Sequence, residues 1–174
     1  LRSSAASDVY KRQAVGMATG AVAGLVGITP AAGFVSPASG MLIGAITSCI
    51  CFLSIKLKIK LSFDDSLDTF AVHGVGGTVG AILTGIFAKS ELIASHPAGL
   101  VLQEQGRFGL VLGQFQAVLI AYAIAAIGTF IIALVLRSLG CSFRVNEIQE
   151  ESGLDISQHG EDAYGEQTGS PTTI

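Results

Sequence analysis

The sequence predicts an all-α membrane protein, a polytopic bundle of transmembrane helices. Composition predicts it first: of 174 residues half are hydrophobic and 13% are charged, against roughly a quarter charged in soluble domains, and mean hydropathy is +0.62. Uncharged runs predict it second. Gln13 to Ile55 is 43 residues, Thr69 to Ala88 is 20 and Phe108 to Leu136 is 29, together more than half the chain, and a bilayer core about 30 Å thick takes roughly 20 helical residues per crossing. Third, these runs lack a sustained apolar-polar alternation, which argues against transmembrane strands.

Residues 1–13 read as a polar Ser/Ala/Arg leader that begins at Leu1 and lacks the apolar core of a signal peptide. It is read as foreign or misassembled and kept out of the fold, so the native polypeptide is expected to start further upstream. The first uncharged run would be about 64 Å long as one helix, too long for one crossing, and Pro30, Gly33, Ser36, Pro37 and Gly40 divide it. Four spans result, at about residues 14–33, 38–57, 64–88 and 108–137. Their small residues recur every four positions: Gly16, Gly20 and Gly24; Gly40, Gly44 and Ser48; Gly77, Ala81 and Gly85; Gly109 and Gly113. Lipid supplies no hydrophobic drive between helices, so such stripes matter by letting backbones approach closely. Pro30 marks either a broken helix lining a transport site or a simple helix terminus. Residues 138–174 form an acidic tail, disordered after about residue 164.

Charge is segregated. Residues 1–13 hold three basic residues to one acidic, residues 14–136 five of each, and residues 137–174 two basic to seven acidic. No basic face remains for a polyanion, so no nucleic-acid partner is expected. Lys56, Lys58 and Lys60 between spans two and three share a side with Arg137 and Arg144, while Lys89 and Arg107 lie on the other. The positive-inside rule then places the C-terminus in the cytoplasm. Cys49, Cys51 and Cys141 lack zinc spacing and read as small buried hydrophobes. Neither a phosphate loop nor a nucleophile elbow is present, so neither an enzyme nor a cofactor or metal is expected.

The third span carries the chemistry, opening as Asp64-Asp65-Ser66-Leu67-Asp68-Thr69-Phe70-Ala71-Val72-His73-Gly74-Val75-Gly76-Gly77. With a helix starting near Phe63, His73 sits about 15 Å inside it, near the hydrocarbon midplane, where an ionisable side chain points to function by default. Imidazole both donates and accepts, and its pKa lies near neutrality. Interhelical packing is the competing role. Asp64, Asp65 and Asp68 either cap the helix N-terminus or attract a cation at its mouth. Gly74, Gly76, Gly77 and Gly80 are packing positions. His96 and His159 lie outside the spans and cannot pair with His73.

The run DDSLDTFAVHGVGGTVGAILTGIFA closely resembles the tenth transmembrane helix of the ammonium transporter family, which includes the Rhesus proteins. GAVAGLVGITPAAGFV resembles the family's eighth helix, and RVNEIQEESGLDISQHGEDAY its cytoplasmic tail. The tail is closer to microbial and plant ammonium transporters than to Rhesus proteins. The resemblance implies a homotrimer of eleven-span protomers in the plasma (inner) membrane, each with a narrow apolar pore. This chain would supply spans eight to eleven and the tail, with the N-terminal half lying outside it. His73 matches one of a hydrogen-bonded histidine pair in the family pore; the partner belongs to the fifth helix. Thr69 would line the pore one turn before His73, Thr29 would approach it near the broken end of span one, and the three aspartates match acidic positions at the cytoplasmic mouth. A PII-type regulatory protein is an implied partner at that face.

Ammonium and ammonia transport for nitrogen uptake is therefore the expected function. Two alternatives stay open: a Rhesus-type channel for neutral gas or a small solute, distinguished by flux without ammonium-evoked current, and an ammonium-sensing membrane subunit, distinguished by binding without transport.

Overall fold

The structure is a computed structural model that describes residues 2–65 and 67–160. Within those residues every regular element is helical: α1 (Arg2–Ile28), a 3₁₀ turn (Thr29–Ala31), α2 (Pro37–Lys60), a π-helical turn (Phe70–Val75) leading into α3 (Gly76–Phe87), α4 (Ser90–Ile93), α5 (Pro97–Ser138), α6 (Glu147–Ser152) and a second π turn (Asp155–His159). Four stretches are long and apolar enough to cross a membrane: Ala14–Ala31, Pro37–Lys60, Phe70–Phe87 and Pro97–Ser138. Two compact units divide the chain between Ile124 and Ala125, within α5.

In the first unit, α1 runs without a break from Arg2, through the stretch read as a leader, and ends where Pro30 enters the 3₁₀ turn. Gly33 turns the chain at φ +83, a conformation that disfavours side chains. Ser36 then caps α2, its Oγ accepting from the Ser39 N–H at 3.3 Å, with Pro37 in the first helical position. At the other end Phe63 N–H returns to the Lys58 carbonyl (3.1 Å) and Ser62 to that of Ile59 (3.1 Å), with Ser62 left-handed at φ 52. This is a Schellman closure.

Close backbone approach holds α1, α2 and α3 together. A Cβ on Gly80 would lie 2.2 Å from the Gly27 carbonyl oxygen, and one on Gly24 would lie 3.3 Å from that of Gly44. Ser48 Oγ donates to the Gly20 carbonyl across the α1–α2 seam at 2.8 Å. Ala23, Cys51 and Val72 form the buried cluster where the three elements meet, flanked by Val26 and Ile55. Of the cysteines, only Cys51 is buried; Cys49 and Cys141 are exposed, contrary to the expectation for all three. Gly77, Gly16 and Gly113 face open space in this chain, so the four-residue stripe is used at some of its positions and not others.

A second cluster, Ala88, Ile93 and Leu110 with Phe34, Ala98 and Leu102, closes the far end. Lys89 N–H donates to the Phe34 carbonyl (2.9 Å), and the Arg107 guanidinium donates to the Ala88 carbonyl, capping α3. Gly106, at φ 68 and ψ −168, breaks α5. Its long apolar portion therefore begins at Arg107.

In the second unit, α5 finishes at Ser138, and Asn146 and Gln149 form a reciprocal capping box on α6. Arg144 grips Glu150 with two hydrogen bonds, Nε to Oε2 at 2.8 Å and Nη2 to Oε1 at 2.6 Å. That pairing holds the Glu150 carboxyl below its ordinary range. The expectation of order up to Tyr164 and disorder beyond it falls outside the described residues after position 160.

Candidate functional site

The third span does not begin where the sequence places it. Residues 61–65 and 67–68 are non-helical, and the helix starts as a π turn over Phe70–Val75 with Thr69 as its N-cap. Asp65 is the reason. Its carboxylate accepts from the Thr69 N–H through Oδ1 and the Phe70 N–H through Oδ2, both at 3.0 Å, so the first orphan donors are satisfied there and not near Phe63. Asp68 adopts φ 55 just before the helix, which breaks any earlier helical run. Lys58 of α2 fastens this stretch by donating to the Asp65 carbonyl and the Asp68 carboxylate.

His73 therefore lies on the first turn of its helix, not ten residues inside it. Its depth is set by another route. Cys51 Sγ donates to the Val72 carbonyl at 3.8 Å, and Cys51 is nine residues from the Lys60 end of α2, or roughly 13 Å. The non-helical stretch doubles back along α2 and carries the start of the helix to that level. Non-helical backbone at such depth is tolerated where it lines a cavity or is buried in protein.

Ala71 and Val72 point into the core, while Phe70 and His73 are exposed. No side chain among the described residues hydrogen-bonds the His73 imidazole. Thr69, also exposed, precedes it by one turn. Thr29 is not brought to His73. It belongs to the 3₁₀ turn, six residues beyond the Ala23 that packs with Val72, which is about 9 Å along the helix, and its hydroxyl donates to the Leu25 carbonyl at 2.7 Å. Asp64 is exposed in the same stretch as Asp65.

The glycines divide by what they meet. Gly76 would place a Cβ 3.0 Å from Cys51 Sγ, Gly74 one 2.9 Å from the Phe70 ring, and Gly80 abuts Gly27, while Gly77 meets nothing within 4 Å. His96 stacks edge-on against Phe34 with centroids 5.3 Å apart, and its Nδ1 accepts from the Ala98 N–H at 3.2 Å; it belongs to the opposite end.

Sequence reasoning missed one neighbour of the π turn. Tyr122 of α5 brings its hydroxyl within 3.0 Å of the Gly74 carbonyl and 2.8 Å of Thr78 Oγ1, and Thr78 itself donates to Gly74 O at 2.8 Å. A phenol inside an otherwise uncharged span is the signal that was there to read, because its O–H needs a partner in an apolar setting.

The sequence model described as Ammonium Transporter Family matches residues 3–164. An ammonium transporter of Bacillus subtilis is 42% identical over 151 residues, covering 86% of this chain and 36% of that protein. One from Aquifex aeolicus is 46% identical over 157 residues, covering 90% of this chain and 36% of that protein. Among solved structures, the crystal structure of Saccharomyces cerevisiae Mep2 superposes with a TM-score of 0.55 at 36% identity, covering 86% of this chain and 34% of that one. The chain spans about a third of the length of these relatives.

Proposed function

The chain belongs to the ammonium transporter family and is an integral membrane protein, and from that premise we propose that it is the C-terminal part of a protomer that moves ammonium or ammonia across the plasma membrane through an apolar pore. The family match across residues 3–164 carries this reading. The relatives it matches are named as ammonium transporters, a transport function and not a catalytic one.

In this reading His73 is the pore histidine of the chain. Ammonium entering an apolar pore must leave its hydration shell, and a bare charge in low dielectric costs many kcal/mol, whereas neutral ammonia crosses at far lower cost. Deprotonation at the mouth is the cheaper route. An imidazole then accepts a hydrogen bond from ammonia through one nitrogen and passes a proton through the other, so potassium, with no proton to surrender, is excluded. What supports the assignment is an exposed imidazole on the π turn that opens its span, next to Val72 at the level of Cys51 in α2, with its ring left for a partner from outside this chain.

The aspartates divide differently. Asp65 works as a cap and Asp68 as the partner of Lys58, so both build the turn that presents Thr69 and His73, and their action on the cation is through the field they leave at the mouth. By the positive-inside rule the lysines at that end, together with Arg137 and Arg144 after the last span, support a cytoplasmic location for the mouth and for the C-terminal tail. A homotrimer and a PII-type regulator at the cytoplasmic face complete the reading.

Replacing His73 by Ala in the full-length protein and recording ammonium-evoked current tests it. Loss of the current or of its selectivity over potassium is the expected result; unchanged current with unchanged selectivity refutes the assignment.

A further inference from the structure

A π turn is a rare conformation that persists where its surroundings hold it, because it widens the helix and misaligns the carbonyl ladder at the junction with the following α-helix. Around His73 both ends of the turn are tied. Its start is held by the two N–H bonds to Asp65 and by the Lys58 grip on Asp68. Its end is held at Gly74, whose carbonyl follows His73 directly and faces two hydroxyls, Thr78 Oγ1 at 2.8 Å and Tyr122 Oη at 3.0 Å, themselves 2.8 Å apart. Two hydroxyl protons serve these three oxygen pairs, so Gly74 O keeps a donor when either hydroxyl is lost.

We propose that Thr78 and Tyr122 are positioning residues for His73: together they anchor the Gly74 carbonyl and keep the π turn that aims the imidazole away from the core. This inference rests on the transport reading for its functional readout. The geometric step is simple. A π turn holds one residue more than the α turn it replaces, and one residue is about 100° of helix. Relaxation to α geometry therefore swings His73 by about that angle relative to α3, off the exposed face and toward the side occupied by Ala71 and Val72. Tyr122 reaches in from α5, so the aim of the imidazole depends on a side chain 49 positions later in sequence.

The test uses the full-length protein in proteoliposomes, comparing Tyr122→Phe, Thr78→Val, the double variant, and Tyr122→Phe with Thr78→Ser. Each single change is expected to leave most of the ammonium-evoked current, and the double variant to lose at least about tenfold with a shifted pH profile between about pH 5 and 8. Tyr122→Phe with Thr78→Ser, which keeps one hydroxyl, is expected to restore the current that Tyr122→Phe with Thr78→Val loses. Wild-type current and pH profile in the double variant overturn the inference while leaving the transport reading intact, and so does failure of Ser to restore. Absence of ammonium current in the wild type refutes the reading instead. The inference is then decided by the ring ¹⁵N signals of His73 in labelled protein: a changed tautomer ratio in the double variant supports it, and an unchanged spectrum overturns it. The same spectrum of Tyr122→Phe combined with Thr78→Ala, which also removes both hydroxyls, serves if the double variant does not reach the membrane, with an unmoved signal again refuting it.

Discussion

Gly80→Ala is the sharpest probe of how the spans hold together. Its added methyl would sit 2.2 Å from the Gly27 carbonyl oxygen and 2.9 Å from Gly27 C and Cα, all backbone, which cannot swing aside as a side chain does. Relief requires α1 and α3 to separate by about 1 Å, and overpacking of this kind costs on the order of 1–3 kcal/mol; the unyielding contact places it near the top of that range. Gly77, three residues earlier on the same helix, meets nothing within 4 Å, so Gly77→Ala controls for helix propensity alone. Cys51 is a built-in reporter, fully buried beside Ala23 and Val72, once the exposed Cys49 and Cys141 are changed to Ser. Its labelling by a maleimide in detergent micelles tracks the population of the open state. About 2–3 kcal/mol corresponds to roughly 30- to 150-fold faster labelling for Gly80→Ala, and no acceleration is expected for Gly77→Ala. Equal rates for the two variants would refute the close-approach account of the α1–α3 contact.

A double-mutant cycle on Lys58→Met and Asp68→Asn, read by the same Cys51 labelling, is expected to give a coupling of about 1–3 kcal/mol; the side chains are only 13% and 28% exposed, and a coupling near zero would remove the pair from what holds the turn. In the tail, the Arg144 pairing lowers the Glu150 pKa, so its contribution to order is present above the usual carboxylate range of about 4 and is lost as pH falls through the lowered value. Amide protection factors in α6 (Glu147–Ser152), taken relative to intrinsic exchange at each pH, are expected to fall on acidification below pH ~4 and, at neutral pH, in Glu150→Gln; equal protection in wild type and Glu150→Gln at pH 7 would dismiss the pairing as a device of order.

Much of the fold was legible because its punctuation is local. Ser36-Pro37 and the Lys56, Lys58, Lys60 triplet bracket α2 within a few residues of the expected 38–57, and Gly106 followed by Arg107 isolates the long apolar part of α5 near the expected 108–137. The third span was legible as a span and misread at its start. A window of apolar residues cannot show that Asp65 captures the N–H groups of Thr69 and Phe70, a side-chain contact four and five residues on, or that Asp68 turns left-handed under Lys58, ten residues earlier at the end of α2. The level of Thr29 relative to His73 is likewise beyond such a window, because it depends on the register of α1 on α3, where Gly27 meets Gly80. The role of Tyr122 required knowing which carbonyl the π turn turns outward.

The return of the chain alongside the end of α2, through residues 61–65 and 67–69, has an electrical consequence. Asp65 and Asp68 sit against Lys58 near the end of α2, and the exposed Thr69 and His73 continue toward the level where Val72 meets Cys51, so polar groups on that line would thin a low-dielectric slab otherwise about 30 Å thick. A membrane voltage falls mostly across what remains dry. Under the transport reading proposed above, a charge moved near His73 would sense a steep local field, worth up to about 2.3 kcal/mol per elementary charge at 100 mV over the full drop, and the short connection between two spans would set where that field begins.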